Sequence, residues 1–188
     1  MKLYALCDQE LLDKNSISLE EYIEIAKSHS AHIIQYRNKT SDIAFIKQQL
    51  VKIRKIYDGF LIVNDAYELV EFCDGVHVGQ EDLLAIDTDI NKAVAILRTV
   101  IGKDKILGIS THNEQEVSVA NELDLNYIGL GAYRQTNTKD VGVVLGNKLD
   151  SIASKSLHPV AAIGGVRLDD TFKNVKYHVI GSGLIVKS

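Results

Sequence analysis

The sequence has no tryptophan, one proline (Pro159), one methionine and two cysteines among its 188 residues. Two cysteines cannot build a disulfide framework or a zinc cluster; Cys7 and Cys73 lie inside apolar runs and read as reduced, buried thiols. One proline, with no Pro/Ser-rich, low-complexity or charge-block stretch, leaves nothing that marks a linker, so residues 1–188 read as a single domain. No apolar run reaches the roughly 18 residues of a membrane span, and the N-terminus meets Asp8 before a signal-peptide core can form. The expectation is a cytoplasmic protein without a membrane partner. An excess of positive charge is also missing: 21 Lys and Arg against 25 Asp and Glu give a net charge of -4. That excludes a global field that would hold nucleic acid, and any anion site must be local. What is present, 46% hydrophobic and 24% charged residues, is the usage of a folded globular domain.

Short apolar, β-branched runs alternate with longer segments whose apolar residues recur every three or four positions. The short runs are Leu3 to Cys7, His32 to Tyr36, Phe60 to Val63, Gly75 to Val78, Ile106 to Ile109, Tyr127 to Leu130, Val160 to Ile163 and His178 to Ile180. Between them lie expected helices at Leu19 to Ser30, Asp42 to Tyr57, Ala66 to Phe72, Ile90 to Ile101, Glu114 to Leu123, Asn147 to Ser156 and Leu168 to Asn174. Eight apolar strands separated by helices imply a parallel α/β sheet covered on its outside, and predict a closed (β/α)8 TIM barrel. An open doubly wound sheet is the alternative, without a dinucleotide fingerprint to support it. With 188 residues shared among eight units, each has about 23, well below the roughly 250 residues of a typical barrel. The barrel is therefore compact, and its closing helix is expected to be missing or reduced to Leu184 to Lys187. The strand end so uncovered is a candidate surface for homo-oligomer formation.

In such a barrel the chemistry sits after the C-terminal ends of the strands. After the second strand, alternation sends Gln35, Arg37 and Lys39 to the same side, where two cations and an amide suit a polyanion. The competing reading is a polar strand end followed by a helix cap at Ser41. Asn64 and Asp65 follow the third strand and Asp82 the fourth. These two aspartates are either a helix cap and a solvated turn, or the one or two carboxylates with which Mg2+ is commonly held. Ser110 offers a small hydroxyl after the fifth strand, whereas His77 and His112 read as structural histidines. The polar stretch Gly131 to Asp140 carries Thr136, Thr138 and Lys139, a composition that suits a phosphate or simply a solvated loop. Glycines after the seventh and eighth strands, Gly164, Gly165, Gly181 and Gly183, let backbone amides approach a phosphate, or merely permit tight turns.

Taken in order, Gln-x-Arg-x-Lys, Asn-Asp, Asp-Gly-Val-His-Val-Gly-Gln-Glu-Asp from Asp74 to Asp82, Gly-Ile-Ser-x-His, Thr-x-Thr-Lys-Asp and Ala-Ile-Gly-Gly resemble the thiamine phosphate synthase family and its thiazole tautomerase relatives. The resemblance runs from the first strand to the eighth. It implies a transferase of thiamine biosynthesis that joins a hydroxymethylpyrimidine diphosphate to a thiazole phosphate, with Mg2+, by dissociative loss of pyrophosphate. It also implies roles. Gln35, Arg37, Lys39 and Asn64, with Lys139, match residues around the pyrimidine diphosphate, and Asp65 and Asp82 match Mg2+ ligands. Ser110 matches a residue beside the pyrimidine, Thr136 and Thr138 match thiazole phosphate contacts, and Gly165, Ser182 and Gly183 complete that cradle.

The chain departs from the family's pattern after Gly131, where a Gly-Pro opening and a later proline give way to Ala132-Tyr133-Arg134-Gln135. Arg134 there is a phosphate contact or an obstruction. The tautomerase alternative needs an acid/base residue where a histidine follows the strand-six glycine; that position is Ala132. A non-catalytic thiamine-precursor binding or regulatory protein is the third reading.

Overall fold

The computed structural model describes residues 2–135 and 144–185. Eight strands, β1 (Lys2–Asp8), β2 (Ile33–Arg37), β3 (Phe60–Asn64), β4 (Gly75–Val78), β5 (Ile106–Thr111), β6 (Tyr127–Leu130), β7 (Val160–Ala162) and β8 (Tyr177–Ile180), pair in parallel in chain order. β8 returns to β1, with Lys2 opposite Tyr177 and Ala5 opposite Ile180, so the sheet closes and has no free edge. The open doubly wound alternative is thereby replaced by the barrel.

Seven α-helices lie among the described residues: α1 (Gln9–Asn15), α2 (Leu19–Ser28), α3 (Ile43–Ile56), α4 (Gln80–Ile86), α5 (Ile90–Ile101), α6 (Glu114–Ala120) and α7 (Leu149–Ala153). They are not the expected seven. α1 and α4 are one or two turns long, too short for periodicity to register, and α1 starts because the Asp8 carboxylate accepts from the Leu11 amide. The helix expected at 66–72 is a 3-10 segment, Tyr67–Phe72. That expected at 168–174 is absent. Asp150 draws the amides of Lys173 and Asn174 at 2.9 Å, which takes from the last turn of such a helix the donors it would need. Side-chain caps fix four further starts, those of α2, α3, α5 and α6: Ser18 and Glu21 form a reciprocal capping box on α2, Asp42, rather than Ser41, caps α3 through the Phe45 amide, and Asp89 and Asn113 cap α5 and α6. Such caps contribute about 1 kcal/mol each.

Strand alternation sorts the side chains. Ala5, Cys7, Ile34, Tyr36, Leu61, Val63, Val76, Val78, Leu107 and Ile109 point outward, fully or almost fully buried in the cluster shared with the helices. Each large apolar side chain so buried contributes roughly 1.5–3 kcal/mol. Tyr4, Ile33, Ile62, Tyr127, Ala161 and Val179 form a second, inner cluster that plugs the barrel. Both cysteines are free and buried, and burial raises both thiols, so neither is poised to react. After β8 the described residues hold only the 3-10 turn Ser182–Leu184.

The end of the barrel opposite the mouth is latched twice in the same way. Asp74, just before β4, accepts from the Leu61 amide of β3 at 2.7 Å and pairs with Arg54 of α3. Asn126, just before β6, accepts from the Leu107 amide of β5 at 2.8 Å and from Arg98 of α5 at 2.7 Å. Asp74 opens the most recognisable motif of the sequence, yet it ties a strand start rather than serving the mouth. Asp74→Ala should therefore cost about 1–3 kcal/mol and lower the thermal midpoint by several degrees, at about 2–4 °C per kcal/mol. Turnover per folded molecule should stay within about twofold of the parent, since surface-distant substitutions act on stability; thermal unfolding beside an activity assay checks both.

Candidate active site

The C-terminal strand ends gather charge. At the end of β1, Asp8 is 4% exposed and pairs with Arg37, its register partner on β2. Beyond β2 the Asn38 side chain accepts from the amides of Thr40 and Ser41 at 3.0 and 2.9 Å, an Asx turn. From this turn Lys39 extends to Asp65, with Asp82 at 3.5 Å. Partial burial works against the Lys39 ammonium, but the bond to Asp65 and the charges of Asp65 and Asp82 hold its pKa above the ordinary lysine value.

Asp65 has a left-handed backbone, φ 59°. Its carboxylate caps no helix. It takes Lys39, the Asn64 side-chain amide and, at 3.1 Å, the Gly79 amide. Asp82 lies in the first turn of α4, not in a solvated turn. Gly79 keeps the gap between the two carboxylates clear: a Cβ there would lie 2.9 Å from Asp82 Oδ2 and 4.0 Å from Asp65 Oδ1.

Deeper in the barrel a hydrogen-bonded chain links two predicted site residues. Gln35 Nε2 donates to the Tyr4 hydroxyl at 2.9 Å, the Tyr4 and Tyr127 hydroxyls lie 2.8 Å apart, and Tyr127 meets His77 Nδ1 at 2.9 Å. His77 Nε2 meets Ser110 Oγ at 3.0 Å, and Gln80 donates to the Ser110 carbonyl at 2.6 Å. Burial raises the pKa of both tyrosines, so they stay neutral. Two inward-facing glycines make room: a Cβ on Gly108 would strike the Tyr127 ring, and one on Gly129 would come within 3.1 Å of His77. Tyr4, Asp8, Gln80 and Tyr127 escape the reading of the sequence, and His77, read there as a structural histidine, joins the chain between Tyr127 and Ser110. Asp8 was detectable, because it follows a strand as Asp65 does; the tyrosines look like ordinary apolar strand residues until the register sets their hydroxyls face to face.

On the far side of the mouth, Gly164 and Gly165 adopt positive φ, 83° and 68°. Among the described residues the amides of Gly164, Gly165 and Val166 donate to no acceptor, nor do those of Ser182 and Gly183. Successive unpaired amides in such a turn form an anion-binding concavity. Thr136, Thr138 and Lys139 lie outside the described residues. Arg134, left above as a contact or an obstruction, is bound to Asp170 through two bonds of 2.6 Å.

Among the described residues no group of three or more His, Cys, Asp or Glu forms a metal cluster. The pair Asp65 and Asp82 nevertheless fits a hard divalent cation. Both are oxygen donors, both already converge on one cation, the Lys39 ammonium, and Gly79 adds no side chain beside them. Among the described residues four mouth carboxylates, Asp8, Asp65, Asp82 and Asp170, outnumber three cations, Arg37, Lys39 and Arg134. A polyanion would meet a net negative set of described charges unless a divalent cation joined it.

The fold is shared with solved structures. Thiamine phosphate pyrophosphorylase from Pyrococcus furiosus superposes with a TM-score of 0.73 at 24% identity, covering 96% of this chain and 85% of that one. A mutant tryptophan synthase α-subunit from the same organism does so with a TM-score of 0.67 at 9% identity, covering 97% and 87%. In sequence, the thiamine-phosphate synthase of Persephonella marina is 37% identical over 172 residues, 88% of this chain and 77% of the relative. That of Ruminiclostridium cellulolyticum is 34% identical over 174 residues, 89% and 78%. The family model described as thiamine monophosphate synthase matches residues 3–185, and with that match the chain belongs to the thiamine monophosphate synthase family.

Proposed function

We propose that this mouth joins 4-amino-2-methyl-5-hydroxymethylpyrimidine diphosphate to a thiazole phosphate, releasing pyrophosphate and forming thiamine phosphate. The observation that carries the reading is the meeting of Lys39, Asp65 and Asp82 at one point of the mouth, in a chain whose family and curated relatives are synthases. Arg37 and Lys39, with Lys139, hold the diphosphate. Gln35, Asn64 and Ser110 orient the pyrimidine. The bond between its methylene carbon and the pyrophosphate oxygen breaks with the electron pair leaving on pyrophosphate, and the aminopyrimidine spreads the resulting positive charge. The lone pair of the thiazole nitrogen then closes the new carbon–nitrogen bond. Thr136, Thr138, Gly165, Ser182 and Gly183 hold the thiazole phosphate so that this nitrogen lies near the cation.

No protein nucleophile is needed in this scheme; the site contributes alignment and neutralisation of the charge that develops on the leaving group. Asp65 and Asp82 would hold Mg2+, which when bound would supply further neutralisation of the pyrophosphate oxygens. The net negative set of described mouth charges supports that requirement. The same reading puts the enzyme in the cytoplasm with small-molecule partners; among the described residues no helix is long and apolar enough to cross a membrane. Self-association belongs to the proposal as well, but not through a bare β8, whose outward-facing His178 and Ile180 are each 2% exposed.

The test is incubation of both precursors with Mg2+ and chromatography of the products. Thiamine phosphate and pyrophosphate in equal amounts are expected. No product, with both precursors still bound, would contradict the reading.

A further inference from the structure

We infer that Arg134 and Asp170 are positioning residues that preform the phosphate cradle after β7 and thereby set the affinity for the phosphate of the thiazole substrate. The inference rests on the proposed function above. Its basis is the way the loop after β6 is tied to the loop after β7. Tyr133 donates its amide to the Ile163 carbonyl at 2.9 Å, and Arg134 donates its own to the Gly164 carbonyl at 2.8 Å. Arg134 Nη1 donates to the Gly165 carbonyl at 2.7 Å and to Asp170 Oδ2 at 2.6 Å, while Nη2 donates to Asp170 Oδ1 at 2.6 Å. Asp170 is itself fixed by the Arg167 amide at 2.8 Å.

The guanidinium also lies 4.2 Å from the centroid of the Tyr133 ring, which packs edge-on against Phe172 at 5.0 Å. The contact between the loops leaves no slack. A Cβ on Gly164 would stand 2.5 Å from that of Ala132, and one on Gly165 2.8 Å from that of Arg134.

The consequence follows from peptide geometry. Within a trans peptide unit the carbonyl and the next amide point in opposite directions. Two successive carbonyls, of Gly164 and Gly165, are held by Arg134, so the amides of Gly165 and Val166 are turned away from it. Those amides find no acceptor among the described residues. Arg134 therefore commits three guanidinium N–H groups to Gly165 and Asp170, and the amides it orients face away from it toward the anion. An arginine suits this task because its planar fork meets a carboxylate through two bonds at once, which lysine cannot reproduce. The latch is durable: the bond from Arg134, together with the Arg167 amide and against partial burial, keeps the Asp170 carboxyl below the usual carboxylate range, so it remains ionised at neutral pH.

Steady-state kinetics on the whole chain test this, with thiazole phosphate and the unphosphorylated thiazole alcohol as alternative acceptors. Arg134→Lys and Asp170→Asn are each expected to raise KM for the thiazole phosphate roughly tenfold or more. KM for the pyrimidine diphosphate, and kcat/KM for the alcohol, should stay within about twofold, because the latch acts only through the phosphate cradle. Arg134→Met is a harsher variant; should it fail to fold, the two milder ones decide. Equal effects on both acceptors, or on both substrates, would overturn the inference and leave Arg134 a structural residue. If the parent makes no thiamine phosphate, the proposed function fails first. Calorimetric binding of thiazole phosphate to parent and Arg134→Lys then still decides the latch, with unchanged affinity overturning it.

Discussion

Asp65→Asn is expected to lower turnover on the order of 10²- to 10³-fold, the loss seen when one preorganised electrostatic group is removed, with little change in the unfolding midpoint. Asn has the size of Asp and shares its tolerance for the left-handed backbone found here, φ 59°, so the turn after β3 survives. What is lost is charge. Lys39, the Asn64 side chain and the Gly79 amide all donate to this one carboxylate, and an amide in its place offers a single acceptor oxygen to three donors. Lys39 then lacks its closer partner, and the proposed metal lacks one of its two protein oxygens. The check is kcat with saturating precursors beside thermal unfolding of both proteins. Parental turnover in the variant would remove Asp65 from the site.

Gly75→Ala should have the largest effect on stability. Gly75 opens β4 and faces into the barrel, where an added Cβ would strike the Ile106 carbonyl oxygen of β5 and lie 2.6 Å from the Ile106 Cβ and 2.8 Å from its carbonyl carbon. A flexible side chain can swing aside, but a strand backbone inside a closed barrel cannot move without carrying its neighbours. Overpacking of this kind costs about 3 kcal/mol, at the upper end of its usual range. Against a typical stability of roughly 5–15 kcal/mol that is a large share. For a chain of this size the midpoint should fall by about 6–12 °C, and soluble yield should fall with it. An unshifted midpoint would mean that β4 and β5 do not approach as closely as described.

The barrel was legible because its strands carry a signal that survives in one dimension. Runs such as Leu61-Ile62-Val63 and Leu107-Gly108-Ile109 are apolar throughout, since one face meets the helices and the other the barrel interior. The short helices α1 and α4 were not legible, because one or two turns leave too few apolar positions to show a period. The missing helix at 168–174 illustrates the opposite error: Leu168 and Phe172 have helical spacing, but the Asp150 carboxylate captures the amides of Lys173 and Asn174 that a helix would use. For the candidate site, strand alternation and strand-end position pointed to Gln35, Arg37, Lys39, Asp65 and Asp82, and the structure sets Lys39 against Asp65 and Asp82 and Arg37 against Asp8. The same rule, applied to β1, would have identified Asp8. Tyr4 and Tyr127 needed the closed ring, because they sit 123 positions apart and meet only across the barrel. The role of Arg134 needed it too, since Asp170 lies beyond β7.

The proposed reaction calls for a divalent cation, which Asp65 and Asp82 would hold, to neutralise the leaving pyrophosphate. The most direct measurement is the initial rate of thiamine phosphate formation as a function of free Mg2+, for the parent and for Asp82→Asn. The account predicts no turnover in excess chelator and a saturable rise with Mg2+. In the variant, the half-saturating Mg2+ should move upward by roughly tenfold or more, since a hard cation has lost one of its two carboxylates. Turnover that persists in chelator, or identical Mg2+ curves for the two proteins, would contradict it.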